Sequence, residues 1–220
     1  MKRSQYAVIG LGRFGSSLAK ELIQLGYEVL GIDKSEEAVD EMSEVLTHVV
    51  AADATDEEVL RSLGIRNIDC AIVAIGDDIQ SSILAAILLK DLGVKQVVAK
   101  ALSELHGKVL QKLGVDRVIF PERDMGIRVA HQLVSPNLLD YIELSDEYTI
   151  AELSVPKRLS GRTLKELDPR AKFGCSVVAI NKRTSVIIAP TAADTLDERD
   201  IMVVIGTNQQ IESFENEVSR

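Results

Sequence analysis

The sequence predicts an α/β fold: a Rossmann-like, doubly wound parallel sheet followed by a small α+β C-terminal lobe. Three observations carry this expectation. Residues 6–15, Tyr-Ala-Val-Ile-Gly-Leu-Gly-Arg-Phe-Gly, run from a short apolar stretch through three glycines into a helical pattern. Apolar strands and amphipathic helices then alternate as far as Val134, the pattern of a parallel sheet with right-handed crossovers and helices on both faces. Beyond Ser135-Pro136-Asn137 the texture changes to short strands and turns.

The first strand spans residues 6–9, and the helix after it places Phe14, Leu18, Leu22 and Leu25 along one face. A second strand, 28–32, is closed by Asp33, and Ser35 caps a helix through residue 46. The third strand, 48–52, ends at Asp53 and precedes a capped helix that runs to Gly64. Residues 71–75 form the most buried strand, ending in Gly76, followed by a helix over 79–92. Two shorter strands at 97–99 and 117–120, separated by a helix over 104–113, bring the sheet to six strands. Ligands of such sheets bind at the carboxyl ends of the strands, where Gly12, Asp33, Asp53, Gly76 and Lys100 fall. The helix over 122–134 differs from the others. Met125, Val129 and Leu133 share one side and Ile127, Ala130 and Val134 the other, so both faces seek cover, from another subunit or from the second lobe. The domains are therefore read as 1–134, a linker at 135–140, and 141–220. In the second lobe, strands are expected at 148–155, 176–180, 186–188 and 201–205, with helices at 163–167 and 208–218. A lobe this small is marginal alone and is expected to dimerise.

Composition narrows the function classes. The chain has 220 residues, with 25 basic against 34 acidic and a net charge of −9, which argues against a sequence-independent nucleic-acid surface. The two cysteines cannot build a disulfide framework or a cysteine zinc site, as suits the cytosol. The N-terminus lacks the apolar core of a signal peptide, and the apolar run at 83–89 is too short to span a bilayer. Work at a membrane would go through a partner.

Residues 10–15 have the chemistry of a phosphate cradle. Gly10 permits the tight turn, Gly12 lets backbone approach a phosphate, and Gly15 lets the helix pack on the strand. The helix then points its free N–H groups at an anion. An acid at Asp33 arrives where it can accept hydrogen bonds from a ribose, and its charge repels a 2′-phosphate, which argues against NADP. Arg13, a cation in the first helical turn, opposes the helix dipole unless an anion offsets it. Glu122, just after Pro121, suits a helix N-terminus for the opposite reason.

Several stretches together resemble the RCK, or KTN, family of cytosolic regulatory subunits of bacterial potassium transporters, in particular its KtrA/KtrC type. They are residues 7–15, 71–76 (Ala-Ile-Val-Ala-Ile-Gly), 120–126 (Phe-Pro-Glu-Arg-Asp-Met-Gly) and 140–145 (Asp-Tyr-Ile-Glu-Leu-Ser). In the second lobe they are 159–167, 170–174 (Arg-Ala-Lys-Phe-Gly), Pro190 and Asp200. Arg199 departs from the pattern, which often has glycine before the aspartate of that turn.

The resemblance implies ATP or ADP, or in other branches NAD(H), bound by Gly10, Leu11, Gly12, Arg13, Phe14, Gly15 and Asp33. Lys34 would graze the ribose, and Asp53, Ala54, Ile75 and Gly76 would line the adenine and phosphate sides. Arg13 would approach the terminal phosphate, with Lys100 as a secondary contact, and Glu122 of two neighbours would help hold Mg2+, Ca2+ or Na+. The second lobe is similar to those that bind cyclic di-AMP across a dimer, here through Leu164, Arg170, Ala171 and Pro190; read alone, residues 170–174 are a basic turn. The implied assembly is a homo-octameric ring of dimers, cytoplasmic and held at the inner face of the membrane by a Ktr-type potassium transporter. An NAD-dependent oxidoreductase is the competing class. It would need a proton donor or acceptor beside the cofactor, and none of the four tyrosines has a lysine four residues on.

Overall fold

The structure is a computed structural model that describes residues 4–135 and 137–219. It divides into two compact units, Met1–Pro121 and Glu122–Arg220. The helix that the sequence grouped with the first lobe thus clusters with the second unit.

In the first unit β1 (Gln5–Ile9), β2 (Glu28–Asp33), β3 (His48–Ala51), β4 (Cys70–Val73), β5 (Gln96–Lys100) and β6 (Arg117–Ile119) form one parallel sheet in the order β3-β2-β1-β4-β5-β6. Helices α1 (Arg13–Gln24), α2 (Glu36–Ser43), α3 (Glu57–Ser62), α4 (Ile79–Asp91) and α5 (Glu104–Lys112) connect the strands. Both faces of the sheet are covered, as the alternation of its side chains shows. Ala7, Ile9, Ala71 and Val73 belong to one apolar cluster, whereas Val8, Cys70 and Ile72 belong to another. The chain order reverses between β1 and β4, which is where a doubly wound sheet opens a crevice.

Short polar residues start the helices. Side chains of Ser35, Asp56, Asp78 and Ser103 accept N–H groups in the first turns of α2, α3, α4 and α5. Several boundaries differ from expectation by a residue or two, and three differences have a local cause. The helix α2 stops at Ser43 instead of continuing to Leu46, whose side chain is buried beyond the helix end. Strand β4 ends at Val73; the Ala74 N–H still donates to the Ile9 carbonyl at 2.7 Å, and the Ala74–Ile75 peptide then lies against Gly10. Leu25 is 62 % exposed; it is the C-cap of α1, where the helical stripe of Phe14, Leu18 and Leu22 has ended.

The second unit opens with α6 (Pro121–Val134), in which no described residue is buried. Met125, Ile127, Val129, Leu133 and Val134 are all exposed. The five-stranded antiparallel sheet that follows has the order β10-β9-β11-β8-β7, built from β7 (Leu138–Glu143), β8 (Tyr148–Ser154), β9 (Ser176–Asn181), β10 (Val186–Ile188) and β11 (Ile201–Thr207). Residues 138–140, read from the sequence as linker, are the first half of β7; Pro136 lies outside the described residues. Between β8 and β9 come the short helices α7 (Leu164–Leu167) and α8 (Pro169–Phe173). The sequence reading of 170–174 as a turn gives way to α8 because Asp168 caps it and Pro169 takes its first position. The final helix, α9 (Asn208–Ser219), buries Ile211, Phe214 and Val218.

Arg199 has φ 70°, the left-handed region. Its turn is held by Asp200, 3 % exposed, whose carboxylate accepts the Asp197 N–H at 2.8 Å and pairs with Lys182 Nζ at 3.0 Å. A Cβ in this conformation costs about 1–2 kcal/mol, partly offset by the smaller unfolded-state entropy of a non-glycine residue. Arg199→Gly should therefore stabilise the second unit by about 0.5–1 kcal/mol, read as a higher urea midpoint at unchanged slope. A lower midpoint would show that the arginine side chain contributes more than its backbone costs.

Candidate functional site

The crevice between β1 and β4 is a cleft of about 200 Å³ at the carboxyl ends of β1, β2, β3 and β4. It brings together Gly10, Asp33, Lys34, Asp53, Ala54, Ile75 and Gly76, residues from four separate parts of the chain.

The glycine loop is fixed by close backbone approach. Gly10 has φ 94°, and a Cβ there would lie 2.9 Å from Ala74 C and Ile75 N. A Cβ on Gly15 would lie 1.8 Å from the Gly10 carbonyl oxygen and 3.2 Å from Ala74 Cβ. Gly12 is different: a Cβ there would meet nothing within 4 Å, so its surface is open to an incoming group. Gly12 is also the N-cap of α1, where no side chain caps the helix and no acid lies in the first turn. The N–H groups of that turn, with the helix dipole behind them, suit a phosphate. Arg13 opens the helix and is exposed.

Asp33 has both oxygens engaged. Its Oδ2 accepts the Leu11 N–H at 2.6 Å and its Oδ1 accepts the Ser35 N–H at 2.9 Å. Each oxygen keeps a further lone pair for a sugar hydroxyl. Lys34 Nζ pairs with Asp53 Oδ2 at 3.2 Å across the mouth, with both side chains about half exposed, so the pair orients more than it stabilises. Hydrogen bonds from Thr55, then the Lys34 charge, hold the Asp53 carboxyl below its ordinary range. Hydrogen bonds from the Ser81 hydroxyl and N–H do the same for Asp78. The rim is therefore anionic apart from Lys34.

The remaining expected residues lie outside the cleft lining. Leu11 turns its side chain into the core. Gly15 is buried beneath the loop, and Phe14 is half-buried with Lys100 Nζ 5.8 Å from its ring centroid. Lys100 itself is 6 % exposed. Glu122 belongs to the second unit, in the first turn of α6. The sequence reading missed Thr55, Asp77, Asp78 and Ser81. Asp78 had a signal, since it precedes an apolar helix as an N-cap should.

A second cleft, of about 420 Å³, lies within the other unit. Leu164, Arg170 and Pro190 line it with Lys165, Ser176 and Val177. Ala171 is exposed on α8 outside the lining, its N–H directed to Asp168 Oδ1 at 3.4 Å. Cys175 also lines the cleft, but burial pushes its thiol up to about 11, so it is a neutral wall. The arrangement offers an exposed guanidinium with the Lys165 side chain nearby, in a recess of mixed lining that also contains the Asp168 carboxylate, Ser176 and Thr191; a guanidinium of this kind suits a phosphate.

Comparisons with known proteins agree with this architecture. Residues 6–121 match the TrkA-N domain family and residues 148–219 the TrkA-C domain family. The Ktr system potassium uptake protein C of Bacillus subtilis (strain 168) is 47 % identical over 216 residues, covering 98 % of each chain. Ktr system potassium uptake protein A of the same organism is 46 % identical over 217 residues, covering 99 % of this chain and 98 % of that one. The crystal structure of the GsuK RCK domain shares the fold, with a TM-score of 0.69 at 19 % identity over all of this chain and 48 % of that chain. With a TrkA-N domain carrying the glycine-loop cleft and a TrkA-C domain carrying the other, the chain belongs to the family of Ktr system potassium uptake proteins A and C.

Proposed function

We propose that the chain is a ligand-gated regulatory subunit without chemistry of its own. It binds ATP or ADP at the glycine loop and cyclic di-AMP in the second unit, and so controls a Ktr-type membrane potassium channel or transporter. The observation that carries the reading is the glycine-loop cleft, with Gly10, Asp33, Asp53 and Gly76 gathered beside an uncapped helix N-terminus. The Bacillus relatives are potassium uptake proteins by name. No helix of the described residues is long and apolar enough to cross a membrane; control of ion flow in this reading acts by docking on the transporter at the inner face of the membrane.

Arg13 favours a nucleotide with a terminal phosphate, because an exposed cation in the first turn of α1 is out of place without an anion. NAD(H) sensing is the second reading, supported by Asp33, which suits any adenosine ribose. A hard cation beside the phosphates would draw on Glu122 from two neighbours, as the family resemblance implies, a carboxylate being the oxygen ligand such an ion takes. The uncovered apolar residues of α6 support dimers that close into an octameric ring.

Calorimetry with ATP, ADP, NAD and NADH tests the first site. ATP and ADP should bind, and Arg13→Ala should lose about 5–30-fold in ATP affinity while ADP changes little, as one charge-assisted contact to the third phosphate implies. Potassium flux through reconstituted transporter should then become insensitive to the ATP/ADP ratio. An unchanged ATP preference would move the discrimination elsewhere, and binding of neither nucleotide would end the reading.

For the second site, Arg170→Ala in the full chain should weaken cyclic di-AMP by about tenfold or more. Equal heats of binding for the two proteins would remove Arg170 from the phosphate. Light scattering after gel filtration checks assembly, where a monomer at micromolar concentration would refute the ring.

A further inference from the structure

Strand β2 holds the glycine loop with two residues of one face. Residues two apart on a strand point the same way, and Gly31 and Asp33 both meet Leu11 on that side. The Leu11 side chain, 4 % exposed, packs in the cluster with Val29, Met42 and Leu46. The absence of a Cβ at residue 31 gives it room, since one there would lie 2.7 Å from Leu46 Cδ1 and 3.2 Å from Leu11 Cδ1. The Leu11 N–H meanwhile donates to Asp33 Oδ2 at 2.6 Å, a short charge-assisted bond. Asp33 Oδ1 is committed to Ser35 N–H, which fixes the carboxylate's plane.

We propose that Gly31 and Asp33 form a clasp on Leu11 that sets the glycine loop in its phosphate-accepting shape before any nucleotide arrives. Asp33 is thus a positioning residue for the phosphate end as well as a partner for the sugar. The clasp removes the Leu11 amide from those a phosphate could use and leaves the amides that follow, at Gly12 and the start of α1. A loop held in advance spares the ligand the entropy of ordering it. The two ends of a nucleotide are then read through one carboxylate, so damage to Asp33 should be felt even by a ligand that has no ribose hydroxyls. The link to nucleotide affinity rests on the function proposed above; the clasp itself does not.

Two measurements on the full chain separate these. Amide hydrogen exchange resolved to single residues, without ligand, should show Leu11 protected in the wild type and on the order of tenfold faster in Asp33→Ala. Asp33→Asn has one acceptor oxygen for two N–H groups, so Leu11 or Ser35 should also lose protection there. Gly31→Ala should expose Leu11 in the same way. Unchanged exchange at Ile72 and Val73 in β4 certifies the fold, and if Gly31→Ala does not fold, Asp33→Ala alone carries the test. Leu11 exchange that is the same in wild type and Asp33→Ala overturns the clasp. The second measurement is affinity for 2′,3′-dideoxy-ATP, which lacks both hydroxyls. Asp33→Ala should weaken it by about tenfold, whereas equal affinity would confine Asp33 to the sugar and overturn its role at the phosphate end. A wild type that binds neither ATP nor the dideoxy analogue rejects the proposed function, while the exchange result still decides the clasp.

Discussion

The site depends on one steric constraint, the contact of three backbones at the end of β1. Helix α1 begins so close to the strand that residue 15 has no space for a Cβ above the Gly10 carbonyl. Gly10 in turn lies against the Ala74–Ile75 peptide that leaves β4. Neither approach tolerates a larger residue without moving backbone, and interiors packed at this density do not yield gradually. Once these segments are fixed, the ends of β2 and β3 follow from the parallel pairing, and with them the positions of Asp33 and Asp53. The acidic rim and the helix N-terminus then face one crevice as a result of packing.

Much of this could be read in the sequence because it is local. The glycine spacing, the strand-end acid and the caps at Ser35 and Asp56 each act within a few residues. Features that arise from distant contact could not be read this way. Strand β4 looks longer in sequence than it is, since Ala74 gives the ladder only its N–H, bonded to the Ile9 carbonyl, and with apolar Ile75 lines the crevice. Strand β7 was hidden because it follows Ser135-Pro136-Asn137 directly and only two of its residues, Asp140 and Glu143, are charged. Helix α8 owes its existence to Asp168, which sits at φ 48° and caps a helix of five residues, too short to show a period. Leu11 illustrates the limit best: its place in the loop was evident, but the partner of its amide lies 22 residues away.

The two clefts lie in different compact units, one within Met1–Pro121 and the other within Glu122–Arg220. In the function proposed above, each ligand would act first on its own unit. The chain passes between them once, where Pro121 and Glu122 begin α6. That helix is amphipathic on two sides and buries none of its described residues. A regulatory subunit has to convert differences in ligand affinity into differences between assembled states. A helix that starts at the unit boundary and presents apolar surface is a physical means of doing so, because its packing can differ between states.

Each unit also contains a single cysteine, Cys70 in β4 and Cys175 just before β9, and both are buried. Desolvation raises both thiols, Cys175 to about 11, so neither is a ready nucleophile for an alkylating or oxidising reagent while its unit is closed. Reactivity appears only when the surrounding unit opens. The chain thus contains two internal clocks, one per unit, whose labelling rates would time the opening of each half separately in the same molecule.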